Sequence, residues 1–233
     1  MSRTPLYVFA GLLVVGSAAA SEPRGSLGPG EGIVARGGEP TGCGTLVMNA
    51  DASYENAYNW QYGGVSRPYY GAMAECYDGP VSVCSIILDA TGFGIPEDSF
   101  VDLYVWRDDN ALPGEVVAVV PDVFVGPFPL WPDVARYVFD VPDVECLDRA
   151  WVGYWPVPPP GGQAYWFIGA DLDGPGGCAM TNIAPGIGYP TGWQSVSVAW
   201  GPTQALGIGA EVIPCDPVPT MESSWGRVKS LYR

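Results

Sequence analysis

Short apolar runs, each bounded by glycine, proline or aspartate, follow one another along residues 43–215 and predict β-strands. Two late runs, residues 195–200 and 205–212, alternate between large apolar and small or polar side chains, as strands with one face on a core do. The predicted strands are residues 81–88, 100–106, 116–120, 135–141, 151–155, 165–170, 195–200 and 205–212. No stretch in this region carries a convincing apolar stripe of helical period. Short strands with turns between them predict an antiparallel β-sandwich or jelly roll.

The two ends of the chain differ from this body. Residues 1–20 combine Arg3, a short apolar run and a small-residue ending, which predicts a secretory signal peptide. The apolar run is too short for a transmembrane anchor. Residues 21–42, rich in Gly, Pro and Glu, predict a flexible linker, and residues 216–233 predict a proline spacer followed by a tail. The sequence thus predicts one β-sandwich domain, residues 43–215, in a protein that is secreted to the cell surface or its surroundings.

Composition narrows the chemistry that is available. The formal net charge is −15, which is unfavourable for binding nucleic acid or anionic lipid. Histidine is absent from the sequence, so Ser-His-Asp triads, Cys-His pairs and histidine metal sites are excluded. Paired carboxylates remain and can hydrolyse glycosidic bonds, but the sequence offers no way to choose one pair among so many acids.

Six cysteines follow the predicted signal peptide, and an even number in an exported chain predicts three disulfides. Fifteen connectivities are open to them. The preferred scheme joins Cys76 to Cys84 across a turn at Asp-Gly-Pro, and Cys43 to Cys215 at the two ends of the domain. It leaves Cys146 to pair with Cys178.

Two predicted strands end in acidic turns. Asp108, Asp109 and Asn110 follow the strand at 100–106, and Asp171 and Asp173 follow the strand at 165–170. Carboxylate and amide oxygens are ligands that calcium prefers, so these residues are candidate calcium ligands. The alternative is that they are ordinary turn formers, which hydrogen-bond their own backbone.

Tryptophans in loops rich in glycine or proline are candidates for carbohydrate binding. Trp60, Trp155 and Trp193 occupy such positions, where exposure is more favourable than for the aromatic residues within strands. A flat exposed ring provides a platform for a sugar. The alternative is that these side chains fill the core, where aromatic residues bury large areas.

The C-terminal tail carries charges opposite to those of the domain. Its basic and aromatic side chains predict a sorting or attachment signal: Trp225, Arg227, Lys229, Tyr232 and Arg233. The ending S-S-W-G-R-V-K-S-L-Y-R resembles short C-terminal tails of exported bacterial proteins. The stretch L-Y-V-W-x-D-D-N-x-x-P-G is similar to secreted bacterial β-sandwich modules. The resemblance implies export and a sandwich fold, and it implies no activity.

The sequence therefore predicts three alternative function classes. The first is an exported non-catalytic surface or carbohydrate-binding module, with calcium as a candidate stabilising ion. The second is a structural or assembly component of the cell surface, attached through its tail to a surface protein or to sorting machinery. The third is a carboxylate-dependent glycoside hydrolase, which requires two carboxylates facing each other across a cleft.

Overall fold

The computed structural model describes residues 32–59, 69–92, 99–142, 144–157, 166–186 and 189–215, except for the side chains of 33–36. Nearly all regular structure in these residues is β-strand, which confirms the all-β prediction. The elements are β1 (Gly32–Arg36), β2 (Thr45–Met48), β3 (Ser53–Tyr54), β4 (Asn56–Tyr58), β5 (Met73–Gly92), β6 (Ser99–Asp108), β7 (Pro113–Val125), β8 (Asp133–Asp140), β9 (Leu147–Val157), β10 (Trp166–Asp171), β11 (Met180–Ile183), β12 (Gly192–Ser195), α1 (Val196–Ala199), β13 (Ala205–Leu206) and β14 (Ile208–Pro214).

The 20-residue strand β5 joins the parts of the sandwich. Its first half pairs with β9 and β11, and its second half pairs with β8, β14 and, at the end, β10. On the far side of β9 the sheet continues through β6 to β7. All of these pairs are antiparallel, whereas β1 and β8 run parallel.

The core lies on the inner face of β5, β6 and β9. Leu103 of β6 opposes Tyr154 of β9, and both belong to the main cluster of buried apolar side chains, together with Ile208 and Ala210 of β14. Because side chains alternate along a strand, the neighbouring residues of β6 and β9 point to the opposite, outer face of the sheet. This outer face carries the candidate site described below.

Residues 195–200, predicted to be a strand, instead form the end of β12 and the short helix α1. Val196 is fully buried whereas Val198 is 74% exposed, so the two valines do not share a face. The amide of Trp200 donates to the carbonyl of Val196, which closes one helical turn. The alternating pattern at this position therefore does not correspond to a strand. The other alternating run, at 205–212, does form strands, and its large apolar residues are buried.

Strand β1 lies within the segment that the sequence analysis interpreted as a linker. Its backbone pairs with β3 and with β8, so at least residues 32–36 join the sheet. A Cβ atom on Gly32 would lie 2.6 Å from the ring of Trp131, which explains a glycine at this position. The predicted signal peptide and the rest of the predicted linker before Gly32 lie outside the described residues.

The predicted disulfide scheme is wrong in all three pairs. The structure joins Cys43 to Cys84, Cys76 to Cys178 and Cys146 to Cys215. The prediction assumed that the chain reverses at Asp78-Gly79-Pro80, but β5 continues through this sequence. Eight residues of extended strand separate Cys76 from Cys84 by roughly 26 Å, far beyond the reach of a disulfide. The coarser prediction, that all six cysteines are consumed in three bridges, is confirmed.

No helix in the part of the chain that the structure describes is long and apolar enough to cross a membrane.

Candidate functional site

An aromatic cluster covers part of the outer face of the sheet. Its buried members are Tyr104 and Trp106 of β6 and Trp151 of β9, and Tyr69, Trp155 and Trp193 pack against them while remaining partly exposed. The rings of Tyr104 and Trp106 stack at a centroid distance of 5.1 Å. The buried rings thus form a rigid base beneath the partly exposed ones.

Two of the three tryptophans selected from the sequence meet in this aromatic cluster, but they lie in strands, Trp155 in β9 and Trp193 in β12, and not in the predicted loops. The ring of Trp193 packs edge-on against Trp106 at 5.5 Å, and the indole nitrogen of Trp155 donates to the carbonyl of Tyr70 at 2.9 Å. Both side chains are half-buried, so each one combines a packing role with an accessible edge. Trp60 lies outside the described residues. Tyr69 joins them through its contact with Tyr104 at 4.9 Å.

A polar cleft lies beside the aromatic cluster, where β5, β6 and β9 carry charged residues at one end of the sheet. The cleft has a volume of about 370 Å³ and is lined by Asp78, Arg107, Asp108, Asp148 and Arg149. The Nε atom of Arg149 lies 2.6 Å from the carboxylate of Asp78, and its Nη1 atom lies 3.8 Å from that of Asp108. The ion pair with Asp78 raises the pKa of Arg149, so this guanidinium stays charged.

One hydrogen bond connects the aromatic cluster with the polar cleft. The indole nitrogen of Trp151 donates to Oδ1 of Asp108 at 2.8 Å. The sequence analysis identified Asp108 as a candidate calcium ligand, but in the structure its carboxylate accepts from Trp151 and faces the guanidinium of Arg149. A nearby cation competes with calcium for the same oxygen, so this environment suits hydrogen bonding better than calcium coordination.

Asp109 and Asn110 belong to a tight hairpin turn between β6 and β7. The backbones of Asp109 and Leu112 exchange hydrogen bonds of 2.8 and 3.2 Å across the turn. Asn110 and Ala111 both have positive φ angles, 54° and 63°, as the two central residues of a type I′ hairpin require. The side chains of Asp109 and Asn110 are exposed, and the amide of Asn110 donates to the carboxylate of Asp109. The turn geometry accounts for this acidic sequence without an ion.

The second acidic turn gathers three carboxylates. Oxygen atoms of Glu55, Asp171 and Asp173 lie within 4.8 Å of one another, which makes them the metal-binding candidate among the described residues. Asp171 is fully buried, and its Oδ1 accepts from the amides of Asp173 and Gly174 while its Oδ2 accepts from that of Asp51. These hydrogen bonds show that Asp171 stabilises the turn.

Glu55 was not identified from the sequence. Its carboxylate accepts from the amide of Leu172 at 2.7 Å, across 117 positions of the chain. A lone glutamate with no acidic neighbour gives no local signal of such a contact. Arg107 and Arg149 were not identified as site residues either. The sequence marks them only by their scarcity, since four arginines and no lysine lie between Cys43 and Cys215. The predicted tail residues, from Trp225 to Arg233, lie outside the described residues.

Glu75 is fully buried on the inner side of β5. Its carboxylate accepts hydrogen bonds from the side chain of Asn49 and from the amides of Cys178 and Leu206. Burial nevertheless raises the pKa of Glu75 to about 7, and the hydrogen bonds oppose that rise. Glu75 holds three segments together and has no open route to a ligand on the surface.

Comparison of the chain with protein-family models, with curated proteins and with solved structures found no match.

Proposed function

We propose that this protein is an exported, non-catalytic surface module that binds carbohydrate through the outer face of β5, β6 and β9. The observation that carries the proposal is the meeting of Trp155, Trp193 and Tyr69 in one aromatic cluster. Aromatic rings combine large contact area with little conformational freedom, and their faces suit the apolar faces of sugar rings. The buried rings of Trp106 and Trp151 hold the exposed ones in place, so little ordering is needed on binding.

The polar cleft supports the same proposal. Sugars need hydrogen-bond donors and acceptors beside the stacking surface, and carboxylates and guanidinium groups provide both. The cleft offers these groups beside that stacking surface, and the bond between Trp151 and Asp108 joins it to the aromatic cluster.

A glycoside hydrolase is the weaker candidate. Its general acid is a carboxyl group with a raised pKa that reaches the glycosidic oxygen. Glu75 has a pKa raised to about 7 but is fully buried and bound by Asn49, Cys178 and Leu206. Two carboxylates of the cleft, those of Asp78 and Asp108, instead lie beside the guanidinium of Arg149. Binding without catalysis fits these environments better.

Export is supported by the three disulfides, which persist in oxidising compartments. The candidate site for calcium is formed by Glu55, Asp171 and Asp173, whose carboxylates converge. Oδ1 of Asp171 accepts two backbone bonds and Oδ2 accepts one, so a lone pair on Oδ2 remains for a cation site.

Affinity electrophoresis under native conditions tests the proposal. The full exported chain would be run through gels that contain neutral or acidic polysaccharides, each with calcium and with chelator. We expect one neutral polysaccharide to retard the protein and Trp193→Ala to abolish most of that retardation. Trp131→Ala is the matched control, because Trp131 packs in a separate apolar cluster. Loss of retardation in chelator would support calcium at Asp171 and its neighbours. Equal retardation in both gels would show that polysaccharide binding does not require calcium.

The second candidate is a structural component of the cell surface that attaches through its C-terminal tail. Exposed aromatic side chains favour this class: Phe100 and Phe124 are 42% and 45% exposed and pack edge to face at 5.8 Å. If no polysaccharide retards the protein, this candidate takes precedence. Removal of residues 221–233 would then release the protein from the cell surface, whereas unchanged attachment would contradict it.

A further inference from the structure

We infer that the polar cleft bordered by Asp78, Arg107 and Arg149 is a subsite for a neutral, polyhydroxylated sugar residue. The inference rests on the proposed carbohydrate binding and names the part of the surface that recognises hydroxyl groups. It also assigns a role to side chains that packing does not require.

Both arginines of the cleft take part in ion pairs. Arg149 is held by Asp78 and lies near Asp108, and Arg107 pairs with Glu145 and, at 3.8 Å, with Glu115. A guanidinium group has five N–H donors, and these pairs use two of the three nitrogens of Arg107. Donors on Arg107 therefore remain for a ligand.

The position of the arginines is unusual for this chain. Only Arg67, Arg107, Arg136 and Arg149 lie between Cys43 and Cys215, and two of them line this one cleft. Arg136 is the partner of buried Asp89 and belongs to the interior. Concentrating scarce donors among carboxylates creates a surface that can both give and accept hydrogen bonds.

The charge balance of the cleft favours a neutral ligand over an anion. Three aspartates and two arginines line it, and Arg107 is also paired with Glu115 and Glu145. An anionic group would meet this net negative surface within a protein of formal charge −15. A hydroxyl group can donate to an aspartate while it accepts from an arginine, so adjacent hydroxyls of a sugar complement the alternating charges.

The size and location of the cleft agree with one end of a longer glycan site. A volume of about 370 Å³ lies at the small end of the range for ligand clefts. Trp151 donates to Asp108 in the cleft and packs in the aromatic cluster that contains Trp155. A glycan lying along β9 would therefore contact aromatic rings and then the charged cleft.

The test measures retardation of the full exported chain by the neutral polysaccharide that retards it most. We expect Arg107→Ala and Asp148→Asn each to weaken retardation about tenfold, as is typical when a hydrogen bond with a charged group is lost. Asp133→Asn is the control, since Asp133 is exposed at the start of β8, outside the cleft. Circular dichroism melting would verify that each variant is folded.

A second measurement does not depend on mutation. Arginine-specific dicarbonyl reagents modify exposed guanidinium groups, and mass spectrometry locates the modified residue. We expect neutral methyl glycosides to protect Arg107 and Arg149 in the wild-type chain. Unchanged modification at saturating glycoside would overturn the inference.

The outcomes separate this inference from the proposed function. If Trp193→Ala abolishes retardation while Arg107→Ala and Asp148→Asn do not, carbohydrate binding stands and the subsite in the cleft is wrong. If only acidic polysaccharides retard the protein and Arg107→Ala abolishes this, the cleft binds anions and a neutral ligand is excluded. If no polysaccharide retards the protein and no glycoside protects either arginine, both the proposed function and the subsite fail.

Discussion

At the scale of single residues, the buried charges are held by dense hydrogen bonding. Asp89 is fully buried, and Arg136 donates to its two oxygens at 2.8 and 2.7 Å. The hydroxyl of Tyr54 donates to the same carboxylate at 2.6 Å. Burial of the ring and, to a lesser extent, the neighbouring Asp89 raise the pKa of Tyr54, so its hydroxyl remains a donor.

Removing the charge of Asp89 should be costly. Asp89→Asn leaves the guanidinium of Arg136 without its ionic partner and places an amide group where two donors point. We expect the free energy of unfolding to fall by about 3 kcal/mol, measured by urea denaturation. Asp122→Asn, on the exposed bulge of β7, is the control and should change it by less than about 0.5 kcal/mol. Equal stability of the two variants would contradict a structural role for Asp89.

Glu75 should make stability depend on pH. Its pKa is raised to about 7 in the folded state, so the folded protein holds its proton more tightly than the unfolded chain. The resulting stabilisation is complete below about pH 4.5 and is lost as the pH rises through about 7, a change of about 3 kcal/mol. Comparing wild type with Glu75→Gln by denaturant unfolding between pH 4.5 and 8 isolates this contribution. Parallel pH profiles would show that Glu75 titrates normally.

Which individual residues could be predicted depends on how local their role is. Trp155 and Trp193 were identified because glycine and proline lie beside them in the sequence. The pairing of Glu55 with Leu172, and of Asn49 with Glu75, is created by folding and leaves no mark on the neighbouring residues. Residue types alone indicated which chemistry was available and left the contacts undetermined.

At the scale of elements, the turn between β6 and β7 is strained at one position. Type I′ turns need positive φ at both central residues, which suits asparagine and glycine. Asn110 meets this need, whereas Ala111 adopts a φ of 63° against the steric preference of its Cβ atom. A residue that adopts positive φ at lower steric cost than alanine should therefore stabilise the turn at position 111.

Ala111→Gly should stabilise the protein. Glycine adopts positive φ without steric cost, so we expect a gain of about 1 kcal/mol in the free energy of unfolding, measured by thermal or urea denaturation. Ala118→Gly, within β7, gives the opposite sign, because it removes a packed methyl group and adds backbone freedom in a strand. Destabilisation by Ala111→Gly would contradict the turn geometry.

Strand prediction succeeded for most of the apolar runs and failed where tertiary contacts decide. Asp78-Gly79-Pro80 has the composition of a turn, yet β5 continues through it, with β9 along one edge and β14 along the other. A Cβ atom on Gly79 would lie 2.2 Å from the carbonyl oxygen of Leu147, so the glycine allows close approach of another strand. Local sequence cannot distinguish these two uses of glycine, and the disulfide prediction failed for this reason.

At the scale of the whole molecule, three disulfides connect distant parts of the chain. The bond between Cys76 and Cys178 closes 102 residues, and the bond between Cys43 and Cys84 closes 41. Two of the six cysteines lie on β5. The sandwich is therefore bridged chiefly through its longest strand.

Removing the longest bridge should lower stability strongly. Cys76→Ala combined with Cys178→Ala should reduce the free energy of unfolding by about 4 to 5 kcal/mol, and the corresponding change at Cys43 and Cys84 by about 4 kcal/mol, in the chain-entropy model. Peptide mapping without reduction provides the connectivity directly. A peptide that links Cys76 to Cys84 would contradict the structure.

The length and position of β5 also determine when folding can finish as the chain is made. The ribosome releases residues 73–92 early, but β14, which lies along the second half of β5, is released about 120 residues later. Until then Ile86, Ile87 and Leu88 have no β14 beside them, although they are fully buried in the finished fold. Such long-range pairing delays completion of the sheet until β14 has been released. One edge of the second half of β5 therefore stays without its partner during the synthesis of all residues between β5 and β14.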